Sequence, residues 1–432
     1  MIDSSSGALR APAVGSSKPR LFRVLGPGLV TGASDDDPSG IATYTQTGAQ
    51  FGYGVAWTLL FSYPLMAAIQ IISARIGRTT GAGIAGNLRR FYPNWIVRSA
   101  ILLLLVANTI NLGADIGAMG EAVRVLVGGP QIAYVLAFGA LCAVLQIFLA
   151  YKRYVAILKW LTLALFAYVA TLLFVKIDWR ALSIGLLVPR LSTGADYLTS
   201  IVAIFGTTIS PYLFFWQSSQ EVEDTKTTPQ RKPLKRAPEQ APDAQNRIQF
   251  DTLLGMGFSN GIALAIMVTA AATLNVAGVK NVQNAADAAR ALRPLAGPFA
   301  EALFALGIVG TGLLAVPVLA GSAAYGVGEA FRWPTGLDRA PKEAKAFYAT
   351  ISAATAAGVI LNFSPIDPIQ ALLWSAVVNG VVAVPIMAIM MTMAANPKVM
   401  GQFTIGRTLK VLGWLSTAAM ALAAAGMIVL SF

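Results

Sequence analysis

The sequence predicts an all-α, polytopic membrane protein of about eleven transmembrane helices, built as two inverted five-helix repeats with broken first and sixth helices. Three observations carry that prediction. Of 432 residues, 56% are hydrophobic and only 12% charged, a balance that soluble domains of this length do not show. The apolar residues gather into runs of about 20 or more, the length a helix needs to cross a bilayer. Two of those runs, the first and the sixth, carry proline and small polar residues at their centres.

The stretch from Gly26 to Tyr53, which holds most of the first run, reads GPGLVTGASDDDPSGIATYTQTGAQFGY. A carboxylate at bilayer depth costs a few kcal/mol, so three adjacent ones mark an ion path or a water-filled cavity rather than a lipid-facing wall. Pro38 lacks the N–H that would close a helical turn, and Ser39 and Gly40 let the backbone unwind and turn its carbonyls toward a ligand. Asp37 lies deepest, with apolar sequence running far on both sides. Asp35 and Asp36 either line the approach to it or end a helix that reaches the interface.

Runs of spanning length are placed at 23–47, 54–76, 97–124, 131–150, 154–175, 197–219, 250–278, 297–329, 346–362, 366–394 and 408–431. Those at 297–329 and 366–394 are long enough to tilt or to extend beyond the membrane. The sixth run repeats the oddity of the first: Phe205 to Phe214, FGTTISPYLF, again sets proline and small polar residues in an apolar helix. Two breaks five spans apart are the pattern of inverted repeats with a substrate site where the breaks face each other, and the eleventh span lies outside the repeat. Residues 1–22 are small and polar, without the apolar core of a cleaved signal, and read as a disordered tail. The rest forms one transport domain: 23–224 is the first repeat plus the broken sixth span, and 248–432 holds the remaining spans. Between them, 225–247 is rich in Pro, Lys, Arg and Gln and reads as a flexible cytoplasmic loop.

A net charge of +12 would suggest nucleic acid in a soluble chain. Here the charges sit between apolar spans, so topology and anionic headgroups account for them and no nucleic-acid partner is expected. With the N-terminus in the cytoplasm, 25 of the 32 Lys and Arg residues fall on the cytoplasmic side. The positive-inside bias therefore favours that orientation, with the C-terminus outside. The single cysteine, Cys142, excludes an internal disulfide, and the absence of histidine removes imidazole both as metal ligand and as proton acceptor. A membrane enzyme such as a lipid-modifying transferase would carry His, Asp or Glu constellations on its cytoplasmic loops. The loop acids instead lie among Lys and Arg as solvated charge, so no enzymatic activity is expected.

The stretches GPGLVTGASDDDPSG and IATYTQTGAQFGYG, followed after the second span by SARIGRTTGAGIA, resemble the first two spans of the NRAMP family of divalent-metal transporters. The likeness continues through ADIGAMG in the third span, the broken sixth span, and LLAVPVLAGSAAYGVGEAF in the eighth. It implies the fold of the amino-acid/polyamine/organocation superfamily and transport by alternating access. Three departures stand out. The family's Asp-Pro-Gly-Asn is here Asp37-Pro38-Ser39-Gly40, its Met-Pro-His is Ser210-Pro211-Tyr212, and its Asp-Leu-Ala-Glu is Asp115-Ile116-Gly117-Ala118. A carboxylate is kept while an amide, a thioether, an imidazole and a glutamate are lost. Oxygen-only surroundings suit hard ions, and Mg2+ is usually bound through one or two carboxylates plus its own waters. The chain therefore looks most like the NRAMP-related magnesium transporters, a branch that carries Mg2+ as well as Mn2+ without proton coupling.

The resemblance implies a metal site of named residues. Asp37 supplies the carboxylate, directly or through water. Thr207 offers its backbone oxygen, Ser210 its hydroxyl, and Gly40 its carbonyl or room for a water. Asp36 adds attraction for a divalent cation. Asn379 in the tenth span is either a ligand or interhelical glue. Asp115 is a remnant of a proton path or a structural partner, and Tyr212 and Gln217 read as packing or helix hydrogen bonding. The expected function is import of Mg2+ and also Mn2+ across a bacterial inner (plasma) membrane by a monomer that needs no cofactor, the metal being cargo. The alternatives are a proton-coupled Mn2+ or Fe2+ importer using Asp36 or Asp115, and an amino-acid transporter of the same fold.

Overall fold

Proline at the first position of a helix fixes both interruptions, because its missing N–H is an orphan there and its ring presets the backbone. Asp37 is extended (φ −73°, ψ 171°) before Pro38, and Ser210 is extended (φ −82°, ψ 136°) before Pro211. The structure, a computed structural model, describes residues 31–32, 34–148, 161–228 and 230–431. Among these it is nearly all helix, without strands. The main helices are α1 (Pro38–Phe51), α2 (Trp57–Thr80), α3 (Ile84–Phe91), α4 (Asn94–Val127), α5 (Gln131–Phe148), α6 (Phe166–Thr171), α7 (Trp179–Leu187), α8 (Ala195–Thr208), α9 (Pro211–Thr227), α10 (Ala241–Ala270), α11 (Ala300–Phe331), α12 (Lys345–Leu361), α13 (Pro368–Ala395) and α14 (Arg407–Ser431).

Eight stretches among the described residues are long and apolar enough to cross a membrane: α2, α4, α5, α8 with α9, α10, α11, α13 and α14. The shorter α12 is also apolar. Burial explains why these helices belong in lipid. On α4, Leu102, Leu103 and Val106 are exposed while Asn108, Asn111 and Asp115 are fully buried. Polar groups inside and leucines outside is the reverse of a soluble helix and matches a bilayer solvent. The chain is a multi-pass membrane protein. The tail 1–22, the first part of the first span, and the junction of the fourth and fifth spans over 149–160 lie outside the described residues. The expected fifth span, 154–175, is described from Leu161, where a 3-10 turn (Leu161–Leu165) leads into α6.

The two halves of the sixth span are held by different neighbours. At Gly206, α8 meets α13 backbone to backbone, so that a Cβ there would lie 1.9 Å from the Ala376 carbonyl oxygen. At Gly77, α2 meets α9 in the same way, 2.1 Å from the Ser218 carbonyl oxygen. Helices in lipid associate by such close packing of small residues, since lipid tails are as apolar as the side chains.

The stretch expected as a flexible loop over 225–247 differs from that expectation. The helix α9 runs on to Thr227 and α10 starts at Ala241, nine residues ahead of the span placed at 250. Between them Leu234 is buried, and the Leu234 and Lys235 amides donate to the Arg78 and Thr79 carbonyls at 3.1 and 3.2 Å. Arg247 on α10 pairs with the buried Glu221 on α9 and reaches Asp224 at 3.7 Å. The Pro and Lys content misled because composition reports solvation and not these long-range backbone partners.

Gly206→Ala should lower stability by about 1–3 kcal/mol or more, since a methyl has no room against a carbonyl oxygen. Thermal unfolding of the purified protein checks this, and an unchanged midpoint would mean that α8 and α13 are not in backbone contact.

Candidate functional site

Asp37 caps its own helix. Its Oδ1 accepts from the Gly40 amide at 2.8 Å and the Ser39 hydroxyl at 2.7 Å. An N-cap carboxylate is what the orphan amides and positive end of α1 call for. The other oxygen reaches across the bundle: Oδ2 accepts from Asn111 Nδ2 on α4 at 3.0 Å and from the Tyr212 hydroxyl on α9 at 3.2 Å. Asn111 Oδ1 in turn accepts from the Ser375 hydroxyl on α13 at 2.8 Å. One buried carboxylate thus connects the first, third, sixth and tenth spans.

The two breaks meet at Gly40. A Cβ on Gly40 would lie 3.1 Å from Thr207 Oγ1, 3.4 Å from the Tyr44 ring and 3.5 Å from the Asp35 carbonyl oxygen. Glycine here lets a hydroxyl from one break and a carbonyl from the other approach the same backbone atom. Of the residues singled out from the sequence, the structure brings Gly40 and Thr207 together, with Asp37 at the start of the same helix turn. Ser210 lies beside them but turns back, donating to the Gly206 carbonyl at 2.7 Å and the Thr207 carbonyl at 2.9 Å. That satisfies carbonyls freed by the break, and it occupies one side of the Thr207 oxygen expected to face an ion.

Asp36 and Asn379 are placed differently. Asp36 Oδ1 and Asp35 Oδ2 both accept from the Ser259 hydroxyl on α10, at 3.2 and 2.6 Å, so Asp36 faces the seventh span and not the donors of Asp37. Asn379 is fully buried with neither amide atom hydrogen-bonded; the tenth-span residue joined to the Asp37 network is Ser375. Asp115 lies fully buried one helical turn after Asn111 and faces the Ser39 amide. Tyr212, read as packing, proves to be a partner of Asp37, and also donates to the Ser34 carbonyl at 3.3 Å. Gln217 accepts from the Thr31 hydroxyl. Asn111, Ser259 and Ser375 drew no attention in the sequence. The signal for Asn111 was its place one turn before Asp115, on the face that turns inward.

A cavity of about 430 Å3 lies near the breaks, lined by Gln46 and Gln50 of α1, Asp196 and Ala203 of α8, and Gln370 and Val377 of α13. Ala203 is one helical turn from Thr207, and Val377 is two residues from Asn379. Toward the opposite side the fully buried Tyr212 and Gln217 lie below the breaks, and beyond them Arg247 pairs with Glu221. Among the described residues no three His, Cys, Asp or Glu side chains are grouped to hold an ion alone. What converges on the breaks is the Asp37 carboxylate with hydroxyls and carbonyls.

A family model described as natural resistance-associated macrophage protein-like matches residues 28–430. The chain belongs to the Nramp family. Relatives of this Nramp chain include the divalent metal cation transporter MntH of Deinococcus radiodurans, 28% identical over 96% of this chain and 91% of that protein. The MntH of Klebsiella pneumoniae is 26% identical over 91% of each chain. Among solved structures, the manganese transporter of Eremococcus coleocola superposes with a TM-score of 0.76 at 16% identity, covering 96% of this chain and 88% of that one. These relatives are transporters rather than enzymes. The fold alone does not choose a cargo, since MhsT bound to L-phenylalanine superposes with a TM-score of 0.62 at 13% identity, covering 95% of this chain and 98% of that one.

Tyr212→Phe should cost about 1 kcal/mol of stability, the net worth of one hydrogen bond whose acceptor keeps three others. Chemical or thermal unfolding measures it. An unchanged stability would mean that Tyr212 only packs the bundle and that its hydroxyl does not serve Asp37.

Proposed function

We propose that this Nramp chain imports divalent metal ions, Mg2+ as well as Mn2+, by alternating access and without proton coupling. The observation that carries the reading is the donor set at the facing breaks: a carboxylate at Asp37, hydroxyls at Thr207 and Ser210, the Asp35 carbonyl, and no imidazole anywhere in the chain. Hard oxygen donors and room for water suit an ion that keeps part of its hydration shell. In this reading Asp37 holds the ion directly or through water, with Thr207, Ser210 and Gly40 completing the shell, Asp36 adding negative potential and Asn379 approaching from the tenth span. The cargo for which the relatives are named, divalent metal and manganese, supports the class.

The protein sits in a bacterial plasma membrane with its N-terminus in the cytoplasm and works as a monomer, one transport domain in all. On that orientation the cavity along α1 and α8 opens outward and the Arg247–Glu221 pair closes the inner side. Uptake is driven by the membrane potential, about 2.3 kcal/mol per charge per 100 mV and so roughly twice that for a divalent ion.

Two measurements test this. Asp37→Asn, measured on protein verified as folded, should reduce Mg2+ uptake into proteoliposomes to background, because the amide keeps the cap oxygen but loses the charge and the acceptor facing Asn111 and Tyr212. Undiminished flux in that variant would end the assignment of Asp37. With the wild-type chain at fixed potential, Mg2+ should enter without internal acidification. Mn2+ entry with acidification and no Mg2+ flux would instead favour a proton-coupled transition-metal importer, with Asp115 or Asp36 as acceptor.

A further inference from the structure

Away from the breaks, the C-terminal end of α3 and the C-terminal end of α11 bring three arginines together. Arg89 and Arg90 occupy the last turn of α3. Arg332 caps α11, and its charge and that of Arg90 both bear on Arg89. None of the three forms an ion pair among the described residues. Glu329 on α11, whose charge also reaches Arg89, forms no ion pair with it and accepts instead from the Gly86 amide at 2.9 Å and the Ser219 hydroxyl at 3.3 Å.

Two features separate this cluster from ordinary surface charge. Arg89 is half-buried and its Nη1 has no hydrogen-bond partner, a donor that the oxygens of an anion can satisfy. Arg332 is the one non-glycine residue with positive φ (61°) among the described residues. Helices commonly end in that left-handed conformation on glycine, so an arginine there is held in a strained backbone by its surroundings. The surroundings are those of a membrane interface: Phe91, Trp95, Phe331 and Trp333 are exposed beside the arginines, and Phe331 stacks on Trp333 with ring centroids 5.2 Å apart. Aromatic residues of this kind settle at headgroup level.

We propose that Arg89, Arg90 and Arg332 form a binding site for the phosphate group of an anionic phospholipid, with the flanking aromatic rings seated among the headgroups. The planar guanidinium matches phosphate oxygens in pairs, and basic pockets between membrane helices hold anionic headgroups. The site lies one helical turn beyond Gly86, where Glu329 holds α3, so lipid and Glu329 together would fix this short helix between the second and third spans.

The test uses the full chain in phosphatidylcholine membranes, into which phosphatidylglycerol is titrated while the thermal unfolding midpoint is followed. Phosphatidylglycerol should raise the midpoint, and R89Q/R332Q should need about tenfold more of it for the same rise while unfolding normally in phosphatidylcholine alone. If that pair fails to fold, Arg332→Gly decides, since it relieves the left-handed backbone and removes one guanidinium. It too should respond less to phosphatidylglycerol. An undiminished response in either variant overturns the site. So does an equal loss in R407Q/K410Q, which would mark general attraction to a charged surface. Inorganic phosphate added in place of the lipid should give no rise, and an equal rise would assign the arginines to a free anion instead.

Discussion

A single buried carboxylate holds the centre of this protein together. Asp37 accepts four hydrogen bonds, two from the first turn of its own helix and two from helices that are far away in the chain. A charge at bilayer depth is costly unless polar partners surround it, and the bundle meets that requirement by turning Asn111 and Tyr212 inward. Through Asn111 the network extends to Ser375, and through Ser259 the neighbouring Asp35 and Asp36 are joined to the seventh span. The polar groups that make the site are therefore also what aligns the spans.

The two breaks were legible in the sequence because proline acts locally. Asp37-Pro38 and Ser210-Pro211 state in two residues where a helix must restart, and the structure restarts both helices there. The family was legible for a similar reason, since its first-span motif is short and contiguous. Partners supplied by other spans were not. Asn111 and Ser375 are isolated polar residues in apolar runs, and nothing in their neighbours says which carboxylate they will meet. Tyr212 reads as packing because burial of a phenol ring and donation by its hydroxyl have the same sequence signature.

Ser210 shows a subtler limit. Its residue type pointed to an oxygen ligand, yet its hydroxyl is spent on the Gly206 and Thr207 carbonyls that the break leaves open. A serine three or four residues past a carbonyl is well placed for such back-bonding. The hydroxyl and the carbonyl expected to serve an ion side by side instead serve each other, and an arriving cation would have to compete for both. Asp37 likewise already accepts from four donors, two local and two from distant helices, and a cation would have to compete with them.

The glycine contacts on either side of the second break have a mechanical meaning. Gly206 welds one half of the sixth span to the tenth span, and Gly77 welds the other half to the second. Each half of the span is therefore seated backbone to backbone on a different neighbour. Ile209 and Ser210 are the two residues that join those halves, so any strain between the two seats falls on a link only two residues long.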